Sequence, residues 1–295
     1  MAILNVDNLA KNYGPIKALK GISFEVPEGA VFGILGPNGS GKTTLLGIVM
    51  SILKPSGGSY RLFGETPTDA HRKQIGTLLE TPNFYHYLSA VQNLQITASI
   101  KGRGADDIDR VLEMVNLTQR KNSPFSSYSL GMKQRLAIGA ALLGNPDVLV
   151  LDEPTNGLDP VGIAEIRTLI KKLAKDGKTI IMASHLLDEV EKVCTHVAIM
   201  KQGTLMASGN VNEIFMHEDI VELASADLHQ LNTILAGYPG HTKKTQEDGA
   251  IQLYFTQGTA KLDEINSFCF SNGISLQTLY LKKKSLETKF FELTN

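Results

Sequence analysis

The chain has 295 residues, of which 42% are hydrophobic and 20% are charged, and its net charge is close to −1. This composition is typical of a folded protein with one large domain and an appendage, or with two domains, and it excludes a disordered chain. The near-neutral charge also argues against bulk electrostatic binding of nucleic acid.

The chain shows no pattern expected of a membrane-spanning or secreted protein. Its longest apolar runs are much shorter than the roughly eighteen residues of a transmembrane helix. The N-terminus lacks the basic and apolar regions of a secretory signal. Cys194 and Cys269 lie far apart without metal-like spacing, which indicates buried reduced thiols. We therefore expect a cytosolic protein.

The first segments alternate apolar and polar residues, which predicts half-buried strands. Ile22, Phe24 and Val26 show this alternation most clearly. Tyr13 lies near the end of the first segment, about twenty residues before a glycine-rich loop. An aromatic ring at this position suits stacking on adenine, although a tyrosine before a glycine is also typical of an ordinary turn.

The glycine-rich loop follows the apolar run 31–35 and fits the pattern G-x-x-x-x-G-K-[ST] between a strand and a helix. Its glycines let the backbone form a concave loop whose N–H groups point at anionic oxygens. The loop therefore predicts a nucleoside triphosphate site. The residues that we expect to bind the nucleotide are Gly36, Pro37, Asn38, Gly39, Ser40, Gly41, Lys42, Thr43 and Thr44.

The loop opens into a helix predicted over residues 42–53, so the positive end of the helix dipole faces the same phosphates. Lys42 can reach the β- and γ-phosphates as a point charge. The hydroxyl of Thr43 can bind Mg²⁺. A nucleoside triphosphate and Mg²⁺ are therefore the expected cofactors.

A strand predicted over residues 75–79 ends at Glu80, and a helical region follows. Within it, apolar residues recur at helical spacing in 91–98 and 108–115. We interpret residues 82–145, approximately, as an inserted helical subdomain. The segment 126–135 then precedes another helix, and the apolar run 148–151 predicts a buried parallel strand.

Two carboxylates end that strand. Asp152 is placed to hold Mg²⁺, directly or through water, and Glu153 can polarise an attacking water. A further buried strand is predicted over 179–183, and His185 follows it. A lone histidine at a strand end is commonly structural. Because four strands deliver polar groups at their carboxyl ends, where open α/β sheets bind ligands, we expect His185 to act in the site.

From about residue 216 the pattern changes to short strands alternating with helices. Strands are predicted over 220–223, 242–246, 251–255 and 274–281, with helices over 228–236 and 261–271 and a terminal helix over 285–293. The order βαββαβ suggests a small ferredoxin-like α+β domain. We place the domain boundary between residues 215 and 216.

These motifs, in this order, resemble the ATP-binding subunit of an ABC transporter over residues 2–215. The resemblance rests on six features: the tyrosine before the loop, the Walker A loop, the segment around Ser129 and Gly131, the LLVLDEP-like Walker B strand, the Asn156–Asp159 turn and Ser184-His185. The resemblance implies a P-loop NTPase fold of the ABC type, with an inserted helical subdomain.

The resemblance also implies that two such subunits bind ATP head to tail. Ser129, Gly131 and Met132 of one subunit would then face the nucleotide of the other, and Asp159 would take part in communication across the dimer. Glu153 would be the catalytic base, and His185 would contact the γ-phosphate. The expected partners are a second copy of this chain and separate transmembrane permease subunits, which would hold the protein peripherally at the inner face of the cell membrane.

Two positions depart from the family pattern. Glu80 stands where glutamine is usual, at a residue that contacts Mg²⁺ and faces the membrane partner. The signature L-S-G-G-Q is replaced by Tyr128-Ser129-Leu130-Gly131-Met132. Both departures resemble the bacitracin-resistance and lantibiotic-immunity exporters, which makes a peptide antibiotic or similar amphipathic compound the expected cargo.

Two alternatives remain open at this point. One is a soluble ABC ATPase that acts on ribosomes or DNA. The other is a nucleotide-gated regulatory module that hydrolyses ATP slowly, an alternative motivated by Glu80 and the altered signature segment.

Overall fold

The computed structural model describes residues 2–79, 83–214, 219–247, 249–256 and 258–283. The chain forms two compact units, Met1–Val211 and Asn212–Asn295. In the described part of the chain, no helix combines the length and the apolar content needed to cross a membrane.

A six-stranded sheet forms the centre of the first unit. Its strands are β3 (Val31–Leu35), β5 (Ile75–Leu78), β6 (Val148–Asp152), β7 (Thr179–Ser184), β8 (His196–Lys201) and β9 (Thr204–Asn210), in the order β5-β6-β7-β3-β8-β9. All pairs are parallel except β8 with β9. Strands β3, β6 and β7 are buried throughout, as expected of parallel strands covered on both faces. The carboxyl ends of β6, β7 and β3 are therefore neighbours at one edge.

The helices of this unit connect the strands. They are α1 (Lys42–Val49), α2 (Asp69–Lys73), α6 (Pro160–Lys175) and α7 (Leu187–Val193), and the short helix α8 (Val211–Ile214) begins at the last residue of this unit. Helix α1 is shorter than predicted. It ends because Ser51 adopts a left-handed φ of 58°, and Leu53 N then donates to the carbonyl of Gly47 at 3.0 Å. The chain turns back there instead of continuing as a helix to residue 53.

A separate three-stranded antiparallel sheet packs on the same core. It consists of β1 (Ala2–Tyr13), β2 (Ile16–Pro27) and β4 (Gly57–Leu62), in the order β2-β1-β4. Its apolar side chains join one hydrophobic cluster with those of α1 and the central strands. Phe24 of β2 stacks on Phe32 of β3 with ring centroids 5.4 Å apart. This packing places the end of β1, with Tyr13, in the same unit as the glycine-rich loop.

The region between β5 and β6 is helical. Its helices are α3 (Ala90–Lys101), α4 (Ile108–Met114) and α5 (Leu130–Leu142). Helix α3 begins with a capping box between Ser89 and Gln92, which satisfies backbone donors of its first turn. At the other end of α3, Lys101 Nζ donates to the carbonyl of Ala140 at 2.6 Å, near the end of α5. Burial, together with the nearby charge of Arg103, lowers the pKa of Lys101 to about 8.

The second unit is an antiparallel four-stranded sheet with two helices. Its elements are β10 (Asp219–Ser225), α9 (Leu228–Leu235), β11 (Lys243–Glu247), β12 (Ala250–Phe255), α10 (Leu262–Ser271) and β13 (Leu276–Lys283). The strand order is β11-β12-β10-β13. Alternate residues of β10 and β12, including Val221 and Leu253, form a buried cluster with apolar residues of both helices. The predicted terminal helix over 285–293 lies outside the described residues.

Candidate functional site

The glycine-rich loop connects β3 to α1. Gly36 and Ser40 at its base are buried, whereas Pro37, Asn38 and Gly39 at its tip are exposed. Ser40 N donates to the carbonyl of Pro37 at 3.1 Å, which closes the turn. The exposed tip leaves the concave side of the loop accessible to a ligand.

Gly41 makes the transition from loop to helix possible. It is the N-cap of α1 and has a φ of 105°, a left-handed conformation that favours glycine. A Cβ at this position would lie 2.7 Å from the carbonyl oxygen of Ala18, so no larger residue fits without rearrangement. Lys42, Thr43 and Thr44 then form the first turn of α1, at the positive end of its dipole.

Lys42 is buried, with 5% of its surface exposed, although it carries a charge. Its Nζ donates to the carbonyl oxygens of Gly36 at 2.8 Å and Pro37 at 3.3 Å. The same Nζ lies 3.4 Å from Glu153 Oε1. Its ammonium thus makes two hydrogen bonds and one ion pair. Lys42 therefore connects the loop directly to the carboxylate that follows β6.

Thr43 reaches the other carboxylate of that pair. Its Oγ1 donates to Asp152 Oδ2 at 2.9 Å. A hydroxyl and a carboxylate are hard oxygen ligands, and Mg²⁺ is typically held by one or two such protein ligands together with phosphate and water oxygens. The donor set of Thr43 and Asp152 fits that requirement. In the described part of the chain, no group of three or more His, Cys, Asp or Glu side chains suits a metal held by protein alone.

Glu153 lies between the loop and β7. Its backbone has a left-handed φ of 47°, and its N–H donates to the carbonyl of Ala183 at 3.1 Å. His185 Nδ1 is 2.8 Å from Glu153 Oε2, a distance at which the imidazole N–H donates to the carboxylate. The left-handed backbone of Glu153 is uncommon for a non-glycine residue and is typical of strained positions at functional sites.

Two buried hydroxyls border this cluster. Ser40 Oγ and Thr155 Oγ1 have no hydrogen-bond partner among the described residues. Ser40 belongs to the glycine-rich loop, and Thr155 lies two residues after Glu153. A buried hydroxyl without a partner is unfavourable unless a ligand or water supplies one. The two hydroxyls are thus consistent with a polar ligand or ordered water at this edge of the sheet.

Tyr13 is at the end of β1 and is 44% exposed. One face of its ring is covered by Lys11, whose Nζ lies 4.9 Å from the ring centroid. Lys11 Nζ also donates to the carbonyl of Lys54 at 2.7 Å. We did not identify Lys11 from the sequence, although residues two apart in a strand share a face and the spacing alone indicates this neighbour.

Ser129 and Asp159 lie at the N-termini of two helices. Ser129 is the exposed N-cap of α5, where its Oγ accepts a hydrogen bond from Met132 N at 3.3 Å. Asp159 is the N-cap of α6, where its Oδ1 accepts from Gly162 N at 2.9 Å. A Cβ on Gly131 would lie 3.9 Å from Gly162 Cα, so the two helix N-termini are close together. The N–H groups of Met132 and Gly162 are bonded to these two caps, and Gly162 is buried.

Two further findings concern residues that the predictions did not settle. Glu80 lies outside the described residues, so its contact with Mg²⁺ stays a prediction. Arg167 of α6 and Glu189 of α7 form an ion pair at 2.6 Å that the sequence did not indicate. The carboxylate of Glu189 raises the pKa of Arg167. This pair joins the helix after Asp159 to the helix after His185.

The chain is similar in sequence to known transport proteins. The ABC transporter family matches residues 19–156. Over 298 residues, the chain is 37% identical to the bacitracin transport ATP-binding protein BcrA of Enterococcus faecalis, covering 99% of this chain and 96% of that protein. It is 43% identical over 298 residues to the ABC transporter ATP-binding protein YhcH of Bacillus subtilis (strain 168). This match covers 99% of this chain and 96% of that protein. It is 34% identical to the lantibiotic transport ATP-binding protein SrtF of Streptococcus pyogenes over 226 residues. This match covers 75% of this chain and 99% of that protein.

The fold is similar to solved structures as well. The structure of cbiO1 from Clostridium perfringens, part of the ABC transporter complex cbiONQ, matches with a TM-score of 0.67 and 36% identity, covering 72% of this chain and 90% of that chain. The ATP-binding cassette MJ0796, solved as a dimer in a post-hydrolysis state with ADP and Pi, matches with a TM-score of 0.62 and 28% identity, covering 70% and 98%. The similarity therefore extends from the sequence of the full chain to the fold of most of it.

Proposed function

The chain belongs to the ABC transporter ATP-binding proteins, ATPases that hydrolyse ATP to power transport, and from this premise we propose that it energises export of a peptide antibiotic or a similar amphipathic compound. The names of relatives support this cargo, since BcrA is a bacitracin transport protein and SrtF a lantibiotic transport protein. Because a relative named for transport matches 99% of this chain, transport is favoured over an action on ribosomes or DNA.

The observation that carries the proposed ATP site is the set of short contacts around Lys42. The loop, Asp152, Glu153 and His185 come from three neighbouring strand ends and are joined by contacts of 2.8 to 3.4 Å. We propose that ATP phosphates bind the loop N–H groups and Lys42, with Tyr13 stacking on adenine. Mg²⁺, held by Thr43 and Asp152 and contacted by Glu80, would neutralise phosphate charge during transfer.

The same contacts suggest how the chemical step is prepared. Lys42 Nζ lies 3.4 Å from Glu153 Oε1, and the phosphates would compete with Glu153 for this ammonium. Phosphate binding therefore frees the carboxylate of Glu153 to accept a proton from the attacking water. His185, 2.8 Å from the other oxygen of Glu153, is positioned to donate to the γ-phosphate or to hold Glu153 in place.

We propose further that two copies of the chain form the working unit. Ser129 caps α5, and Gly131 and Met132 lie in its first turn, so this helix N-terminus can bind an anion. Asp159 caps the neighbouring α6, and in a dimer these residues would face the nucleotide of the second copy. The dimeric cassette MJ0796 with ADP and Pi supports this arrangement.

The remaining partners follow from the transporter assignment. We propose separate transmembrane permease subunits, which would hold the protein peripherally at the inner face of the cell membrane. The net charge of −1 gives no support to nucleic-acid binding. For the second unit we propose a ferredoxin-like fold, supported by the element order βαββαβ and the strand order β11-β12-β10-β13.

The decisive experiment is purification of the tagged full chain from detergent-solubilised membranes of its native cell. We expect a polytopic membrane protein to co-purify at equal stoichiometry. Deletion of the gene should then lower resistance to bacitracin or a lantibiotic, and the wild-type gene should restore it. The matched variants are Glu153→Gln, which should not restore resistance, and Glu113→Gln, an exposed glutamate on α4 that should.

Recovery of the chain only from the soluble fraction, with ribosomes or alone, would contradict the transporter proposal. Co-purification with a permease but unchanged resistance to every peptide antibiotic tested would contradict only the proposed cargo. The two results separate the energy-coupling role from the identity of the compound that is exported.

A further inference from the structure

We propose that Lys11 is a positioning residue for the nucleotide base, because it fixes the ring of Tyr13 relative to the phosphate-binding helix. The inference rests on the proposed ATP site, in which Tyr13 stacks on adenine. It adds a residue that neither the sequence motifs nor the comparisons assign.

The first observation is the placement of the ammonium group on the ring. Lys11 and Tyr13 are two residues apart in β1, so their side chains share a face of the strand. Lys11 Nζ lies 4.9 Å from the centroid of Tyr13, within the distance of a cation–π contact. The ammonium covers one face of an otherwise exposed ring. A purine can therefore stack only on the opposite face.

The second observation is that the ammonium is itself anchored. Lys11 Nζ donates to the carbonyl of Lys54 at 2.7 Å. The neighbouring backbone is held to the same turn, because Asn12 N donates to Ser56 Oγ at 3.0 Å and Ser56 N donates to the carbonyl of Ala10 at 2.8 Å. Three hydrogen bonds thus join the end of β1 to residues 54–56.

The segment 54–56 follows α1, the helix whose first turn carries Lys42 and Thr43. The ring of Tyr13 is therefore connected to the phosphate-binding helix through one short turn. Such a connection sets the distance between the base and the phosphates before ATP arrives. Preorganisation of this kind lowers the free-energy cost of ordering the ring on binding.

The positive charge of Lys11 also favours stacking of a base on Tyr13. A cation on one face of an aromatic ring draws electron density toward itself, which makes the other face more attractive to an electron-rich purine. The effect concerns the base, which is remote from the bond that breaks. Lys11 should consequently affect the binding of ATP and leave the rate of the chemical step unchanged.

The test compares steady-state ATPase kinetics of the full-length protein with four variants. Lys11→Met keeps the length of the side chain but loses its charge and its donors, and Lys11→Arg restores both. Tyr13→Ala removes the ring, and Lys17→Met removes a similar charge from β2, where Lys17 faces Asn12 in the strand pairing. For Lys11→Met we expect KM for ATP to rise about two- to fivefold with kcat unchanged, the range of an exposed cation–π contact.

Two further measurements separate the base from the phosphates. Inhibition by tripolyphosphate, which has no base, should be equal in wild type and Lys11→Met, and this result also reports an intact phosphate loop. Lys11→Met should add no further increase in KM in a protein that already carries Tyr13→Ala. Lys11→Arg should retain the wild-type KM, and Lys17→Met should leave KM near the wild-type value.

The inference is overturned if Lys11→Met leaves KM unchanged while Tyr13→Ala raises it. It is also overturned if Lys11→Met weakens tripolyphosphate and ATP equally, since Lys11 would then act on the phosphates through its charge. If Tyr13→Ala itself leaves KM unchanged, the proposed stacking of adenine on Tyr13 is wrong, and the role of Lys11 is rejected with it.

Discussion

The two units of the molecule hold their polar side chains in opposite ways. In the first unit, the side chains of Lys42, Asp152, Glu153 and His185 come from the carboxyl ends of strands or from the residues that follow them, and they meet at one edge of the sheet. In the second unit, polar side chains lie within adjacent strands of the sheet and bond to each other across it. We call this second group the polar row; it consists of Tyr280, Glu222, Gln252, Tyr254 and Thr245.

The two groups differ in whether their polar atoms are satisfied within the protein. In the first unit, the hydroxyls of Ser40 and Thr155 are buried without a hydrogen-bond partner among the described residues. Along the polar row each of the five members bonds to at least one other, so the row forms a continuous network. A satisfied network stabilises a fold, whereas open donors and acceptors at the carboxyl ends of parallel strands are typical of a binding site. We therefore expect the chemistry of this chain in the first unit.

The largest effect that this comparison predicts is at Glu153. Glu153→Gln removes the proposed general base but keeps the size of the side chain, so we expect kcat for ATP hydrolysis to fall about 10²- to 10⁴-fold. The Kd for ATP should stay within a few-fold of wild type, because the amide that replaces the carboxylate carries no charge to repel phosphate. Steady-state turnover and equilibrium binding of a fluorescent ATP analogue measure the two quantities.

Glu113→Gln on α4 is the matched control and should behave like wild type. If wild-type turnover is already as low as that of Glu153→Gln, hydrolysis is slow and the chain acts as a nucleotide-gated regulator. The signature segment, with Leu130 and Met132 in place of glycine and glutamine, motivates this second possibility. The kinetic comparison therefore decides between an energy-coupling ATPase and a regulatory module.

Much of the first unit could be predicted from the sequence, because its polar site residues directly follow buried strands in the chain. The runs before Gly36, Asp152 and His185 are mostly apolar and fully buried, which indicates parallel strands whose ends meet at one edge. The predicted alternation in β2 and the helical spacing in α4 also agree with the structure. Local patterns of this kind depend on few neighbours and can be interpreted without the fold.

Other features depend on contacts between distant residues and could not be predicted. The ion pair of Lys42 with Glu153 joins residues that are far apart in sequence, and its geometry depends on the left-handed backbone of Glu153. The ion pair of Arg167 with Glu189 likewise joins two helices, α6 and α7. In each case the deciding interaction is tertiary, and the sequence carries no local signal for it.

From the same contrast we expect that a substitution in the core of the second unit lowers the stability of that unit and leaves ATP hydrolysis unchanged. Leu253 of β12 is fully buried in the core cluster of that unit. Leu253→Ala should lower the free energy of unfolding of the second unit by about 2–5 kcal/mol, through lost apolar burial and the cavity left behind. Hydrogen exchange of the amides in residues 219–283 during a urea titration measures this loss.

Leu281→Ala is the control, because Leu281 of β13 is 40% exposed and its truncation should cost much less. At a urea concentration where the first unit is intact, kcat for ATP should be the same in both variants and in wild type. A large fall in kcat in Leu253→Ala, with the first unit still protected from exchange, would show that the second unit contributes to catalysis.

The smallest predicted effect concerns the polar row itself. Tyr254→Phe removes the hydroxyl that donates to Gln252 Oε1 at 3.1 Å and accepts from Thr245 Oγ1 at 3.4 Å. Because Gln252 is buried and would lose a partner, we expect the second unit to lose about 1 kcal/mol of unfolding free energy. Tyr238→Phe, in which the ring still packs against Phe268, is the control for removing a hydroxyl from this unit. A cost in Tyr254→Phe no greater than that of the control would mean that the row contributes nothing to stability, and its polar groups would then have to be explained by binding.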